Sequence, residues 1–364
     1  MKRLDLLPVA LLLGACATTK TATAPQPEKV AMEPILVKAD KDPLTGLDGY
    51  DAEALLEVGN RLYANGDHDK AIEIYDKLVA EFPESKHVPA AQYNAGLAFE
   101  ALVEYDKSLE RYEKIIADHR GSKSFKDAYF RKCFVLGKLA RWVEVADTFW
   151  AIRHLDDLTP MDELEARVGQ GVGMFMQGDY VTAETEFMSA ITFYQSQSKL
   201  EYLPADYWVG QSRFYLGEIY AREFEKTKLS PPKADQEKWV EMMGKELEAK
   251  CKLLLRAQNN FIRTIRVGHT GWATAAGFRI GNLYEKLYDD LLDVPVPPDL
   301  DEEAKNVYLE ELRKRVSVLV VKAIKVYEQS LQMAQRVGEK NEWVDQTTKS
   351  LERMKTLYLA ELEG

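Results

Sequence analysis

The sequence predicts an all-α chain: a helical-repeat superhelix of about six stacked helix pairs closed by a C-terminal capping helix. The first observation behind this is internal repetition. Gly59, Tyr75 and Leu78 return after 37 residues as Gly96, Tyr112 and Ile115, then as Cys133, Phe149 and Ile152, and after 38 more as Gly171, Phe187 and Ala190. The second is composition: Ala, Leu, Glu and Lys dominate, and Gly and Pro are sparse outside the N-terminus and two later stretches. The third is the lack of strand-like alternation of useful length. At 364 residues the chain is also too long for one ordinary compact core, which suits an elongated array.

Taken in order, residues 1–16 form an address. Met1-Lys2-Arg3 precedes an apolar run from Leu6 to Leu13 and the box Leu13-Gly14-Ala15-Cys16. This resembles a bacterial lipoprotein signal peptide, with Asp5 and Pro8 as departures. The apolar core is too short for a stable span. The resemblance implies that Cys16 is lipidated and anchors the mature chain in a membrane. Ala17 follows the cysteine where an Asp would favour inner-membrane retention, so the outer membrane is the expected home, with the folded part facing the periplasm. Residues 17–47 hold Thr, Ala, Pro, Lys and Asp without apolar periodicity. They read as a flexible tether with an r.m.s. reach of roughly 30 Å.

Residues 48–200 hold four units. Each places a small residue on its first helix, a turn such as Gly178-Asp179-Tyr180, then a small residue and an aromatic on its second helix. This pattern resembles the tetratricopeptide repeat, lengthened by a few residues. Two longer units fill residues 201–340. The fifth has Leu216-Gly217 and Tyr220, then Ala257 and Phe261, around an insertion at 223–247; the sixth has Ile280-Gly281 and Tyr284, then Ala323 and Tyr327, around an insertion at 289–313. Ser230-Pro231-Pro232 and Pro295-Val296-Pro297-Pro298 stop helices within them. Residues 341–364 supply the capping helix that such arrays need.

The net charge of −11 argues against a nucleic-acid partner, and no basic cluster carries interleaved aromatics. No cofactor, metal or small-molecule substrate is expected. The histidines His68, His87, His119, His154 and His269 lack metal-ligand spacing, and His68 holds the turn position of Tyr105 and Tyr180. Cys133 occupies a small-residue slot as a core thiol, and Cys251 lies too many units away to pair with it. Gly169-Gln170-Gly171-Val172-Gly173 reads as close helix packing, not as a phosphate loop.

The fifth position of each first helix is apolar: Leu56, Tyr93, Phe130, Val168, Phe214 and Phe278. The ninth, in the first four units, is Asn60, Leu97, Phe134 and Val172. In the family resembled, these positions tend to face the groove. Tyr93, Leu97, Phe130 and Phe134 are therefore the candidate partner-binding residues, with plain core packing as the alternative.

The lipobox, tether and early units resemble the lipoprotein of the outer-membrane protein assembly machine and pilus-assembly lipoproteins. The C-terminal third, with Tyr284-Glu285-Lys286-Leu287-Tyr288 and Asn341-Glu342-Trp343, looks more like large myxobacterial tetratricopeptide proteins, including envelope proteins of gliding motility. The resemblance implies a non-catalytic scaffold whose partners are other envelope proteins. The rival classes are an outer-membrane protein or pilus assembly factor, a cell-wall enzyme and a peptidoglycan-binding protein.

Overall fold

The computed structural model describes residues 34–37, 44–47, 49–231, 236–296 and 300–363. The signal segment, Cys16 and most of the expected tether lie outside the described residues. Within that tether, however, a two-residue strand β1 (Leu36–Val37) pairs antiparallel with β2 (Gly49–Tyr50). Tyr50 is buried, sets its ring edge against Phe82 and donates its hydroxyl to Glu81 at 2.7 Å. It seals the start of the array.

Thirteen helices follow among the described residues, and they fall into six pairs and a cap. The pairs are α1 (Ala52–Ala64) with α2 (His68–Glu81), α3 (Val88–Ala101) with α4 (Tyr105–Asp118), α5 (Ser124–Lys138) with α6 (Trp142–Ile152), and α7 (Pro160–Met176) with α8 (Tyr180–Gln197). Longer pairs come next: α9 (Asp206–Lys226) with α10 (Gln236–Val267), and α11 (Thr270–Leu292) with α12 (Glu302–Val337). The cap is α13 (Glu342–Glu363). Each helix packs on the next, so the core runs along the stack as successive clusters.

Local signals set the helix ends. Asp51, Asp179 and Asp301 each accept a backbone N–H at the start of α1, α8 and α12. Thr159 and Asp162 form a reciprocal capping box at α7, with Pro160 in its first turn. The ring of His269 accepts the backbone N–H of Trp272 at 3.3 Å and caps α11. Gly338, with φ of 69°, ends α12.

The repeat register follows from one steric fact. At Gly96 on α3, a Cβ would lie 2.7 Å from the ring of Tyr112 on α4, so only glycine lets the helices approach. Gly59 with Tyr75, Gly171 with Phe187, Gly217 with Phe261 and Gly281 with Tyr327 repeat this contact. The third unit differs. Cys133 fills the small slot, and Phe149 reaches forward to meet Gly169 on α7. The glycine-dense stretch thus serves close packing, as its place on a first helix indicates.

The insertions lengthen helices. The α9 helix stops before Ser230-Pro231, and α10 begins at Gln236. Glu246 of α10 accepts both the backbone N–H and the hydroxyl of Ser230, at 2.7 and 2.6 Å. Lys250, fully buried, donates to the carbonyls of Phe224 and Thr227 at 2.7 Å and pairs with Asp290 of α11 at 2.9 Å. One ammonium group thereby caps α9 and ties the two long units together.

Candidate protein-binding face

Consecutive first helices lie side by side at α1–α3, α3–α5, α7–α9 and α9–α11, and α11 meets the cap α13 in the same way. The face they share carries the four predicted residues on α3 and α5. Phe134 is 44% exposed, with Arg131 and Lys138 set over its ring at 4.5 and 5.2 Å. Leu97 is half-buried. Tyr93 and Phe130 are half-buried as well, but both also join the core. The Tyr93 ring sits 5.7 Å from Tyr112, and Phe130 meets Phe149 edge-on at 6.4 Å. Burial pushes the Tyr93 phenol above its ordinary range.

At the same positions elsewhere, Val168 and Phe214 are buried, and Phe214 packs against Phe261, Trp272 and Trp343, while Leu56, Val172 and Phe278 are half-buried. Among the apolar residues at these positions, Phe134 on α5 of unit three is the exposed one.

Beside it runs a polar ladder that the repeat pattern does not announce. The buried Tyr112 donates its hydroxyl to Glu100 of α3 at 2.6 Å, and Arg131 of α5 grips the same carboxylate. The motif returns at the far end: Tyr327 donates to Glu285 of α11 at 2.8 Å, and Arg353 of α13 holds Glu285 and Asp289. Arg279 of α11 likewise holds Glu218 of α9, with Glu225 at 3.1 Å. Burial first, then the adjoining carboxylate, pushes the phenols of Tyr112 and Tyr327 well up, so they act as permanent donors. In α1 and α3 the rung is neutral: Asn60 accepts from Tyr75 and from Asn94, at 2.9 and 2.8 Å. A tyrosine, a carboxylate on its own first helix and an arginine on the next first helix recur. The arginine varies in spacing, so only geometry reveals the set.

The remaining reactive side chains have structural surroundings. His68 packs on Tyr63, and the Nδ1 of His154 lies 2.7 Å from the Trp150 carbonyl. Cys133 and Cys251 are free thiols, and burial pushes the Cys133 thiol well above its usual range. Among the described residues no group of three or more His, Cys, Asp or Glu could hold a metal. No helix among them is long and apolar enough to cross a membrane.

The fold and this face define a helical-repeat array, a class whose first helices present a continuous surface to a ligand. Residues 44–86 and 56–123 match the tetratricopeptide repeat family. No curated protein matches the chain. Solved structures similar to it include a MamA double mutant (MamA RS-1 ArsTM), 14% identical, with a TM-score of 0.38 over 58% of this chain and 98% of that one. A tetratricopeptide repeat protein from Parabacteroides merdae is 13% identical, with a TM-score of 0.40 over 84% and 98%. The C-terminal part of a repeat protein of the same kind from Cytophaga hutchinsonii is 12% identical, with a TM-score of 0.44 over 85% and 98%.

Proposed function

We propose that this chain is a non-catalytic scaffold, lipid-anchored through Cys16 to the outer membrane, that holds other envelope proteins on the first-helix face of units two and three. The observation that carries the binding reading is the exposed ring of Phe134 on α5, with the half-buried Phe130 on the same helix and Tyr93 and Leu97 on the neighbouring α3. An aromatic that rigid neighbours hold at a surface is where binding energy concentrates. The anchor rests on the Leu13-Gly14-Ala15-Cys16 box. Among envelope assemblies, the gliding-motility machinery is the favoured setting, by the resemblance of the C-terminal third.

Two experiments test this. A photo-reactive residue at position 134 should cross-link a discrete envelope protein in cells. The Leu97→Glu/Phe134→Glu variant should lose that protein on mild-detergent co-isolation, with its circular dichroism and thermal midpoint unchanged. Retention of the partner by the folded variant would remove the face from consideration. Cys16→Ser should release the chain from the membrane fraction; firm retention would defeat the anchor.

A further inference from the structure

A second feature lies away from the first-helix face. The C-terminal end of α8, the N-terminal half of α9 and the C-terminal end of α10 enclose an open cleft of about 440 Å³. Three arginines line it: Arg213 from α9, and Arg263 and Arg266 from α10. Arg213 is half-buried, and the other two are exposed. Among the described residues none of the three lies within 4 Å of a carboxylate, and none makes a side-chain hydrogen bond. Asp206, at the rim in the first turn of α9, does not close on them.

Elsewhere in the chain Arg111, Arg131, Arg153, Arg167, Arg279 and Arg353 each hold a carboxylate; here three unpaired arginines from two packed helices line one cleft. In a protein of net charge −11, partners were plentiful. Burial and then the charge of Arg263 hold the Arg213 guanidinium below its ordinary range. Three cations in a cleft whose one lining carboxylate, Asp206, pairs with none of them are what an anion site requires before its ligand arrives.

We propose that this cleft is a binding site for an acidic peptide segment of a partner protein. The guanidinium fork matches a carboxylate with two parallel hydrogen bonds. The walls supply the rest: Val209 is buried, and Tyr194 and Val267 are half-buried, which gives an apolar side chain of the same segment a seat. The net negative charge of the chain opposes long polyanions such as nucleic acid or an anionic bilayer at a distance, and burdens a short acidic segment far less. The cleft is built from the second helices α8 and α10 and the N-terminal half of α9, and shares no residue with the face around Phe134, so a partner here need not compete with one there.

The test uses the chain without its signal segment and a fluorescent synthetic peptide alternating Glu with Leu, read by anisotropy. The matched Gln–Leu peptide and inorganic phosphate serve as competitors. The acidic peptide should bind, weaken as salt is raised, and lose about tenfold or more in affinity in Arg213→Gln/Arg263→Gln. Arg120→Gln, an exposed arginine far along the chain, should bind as the parent does. The cleft variant should be at least as thermally stable as the parent, because a repulsion has been removed. Should Arg213→Gln lower the midpoint, the exposed pair Arg263→Gln/Arg266→Gln carries the same expectation without touching the half-buried Arg213. Equal binding of the Gln–Leu peptide, or parent-like binding by the exposed-pair variant, would overturn the proposal. Displacement of the acidic peptide by phosphate at equal concentration would mean a phosphate site instead, and would overturn it too.

Discussion

Val103 stands in the turn between α3 and α4 with φ of 63°, and Ala140 does so between α5 and α6 with φ of 55°. Units one and four put Gly66 and Gly178 at the same place, with φ of 84° and 94°. The turn geometry is thus fixed by the helix pair, and the residue must comply. For a β-branched side chain, the left-handed region crowds Cβ against the following carbonyl at about 1–2 kcal/mol. Val103 is 66% exposed, so its side chain gains little from packing. Val103→Gly should therefore stabilise the protein by about 1 kcal/mol, after allowing for the greater freedom of glycine in the unfolded chain. Thermal or urea unfolding would show it. A lower midpoint would mean that Val103 packs in solution in a way that offsets the strain.

Between pairs of helices, two contacts carry more than their surroundings. At Gly96 the helices meet so closely that no side chain fits, and Gly96→Leu should cost about 3 kcal/mol by overpacking against Tyr112. An unchanged unfolding midpoint would place the repeat register elsewhere. At Lys250 the cost has another origin. Lys250→Met removes a buried cation and leaves Asp290, whose side chain is only 10% exposed, with the longer 3.6 Å contact to Lys286. Removing one partner of a buried pair costs about 3–5 kcal/mol. Protease susceptibility of the α9–α10 hairpin should rise along with that loss; if neither changes, the ammonium group is not what joins the long units. These two sites also mark what can be read from sequence. The Gly–aromatic slot repeats at fixed spacing because every pair solves the same steric problem, so arithmetic on the chain finds it. Lys250, Arg131 and Arg353 meet partners 23 to 68 residues away, across helices whose lengths differ. Their chemistry depends on how units stack, and a lone lysine inside an amphipathic helix reads as a solvated one. The face around Phe134 was legible as a pattern, yet its division into exposed and core rings was not. Whether Tyr93 and Phe130 turn outward is decided by the second helix behind them.

Across the molecule the array is not uniform. The first helices run side by side in every neighbouring pair except α5 and α7, whose Cα atoms stay more than 8 Å apart. Units three and four are joined instead by α6 against α7, by the small cluster of Cys133, Ile152 and Ala166, and by the 2.6 Å pair of Lys126 with Asp162. Glu165 of α7 sits at this junction, close enough to Cys133 and Tyr207 to act on both electrostatically. Burial, and secondarily the charge of Asp162, raises its carboxyl from 4.5 to about 7. A raised carboxyl means that the folded state holds the proton more tightly than the unfolded state. Its stabilising contribution is complete below about pH 4.5 and is lost as pH rises through about 7. Above that, an ionised Glu165 costs the fold on the order of 2 kcal/mol at the point where the stack has fewest lateral contacts. Glu165→Gln should therefore raise the unfolding midpoint at pH 8 and leave it nearly unchanged at pH 4.5. Small-angle scattering should show the same junction opening in the parent, with the radius of gyration growing from pH 5.5 to pH 8 and staying constant in Glu165→Gln. Parallel pH profiles for parent and variant would mean that Glu165 is solvated at all pH values, and that the junction of units three and four is as firm as the rest.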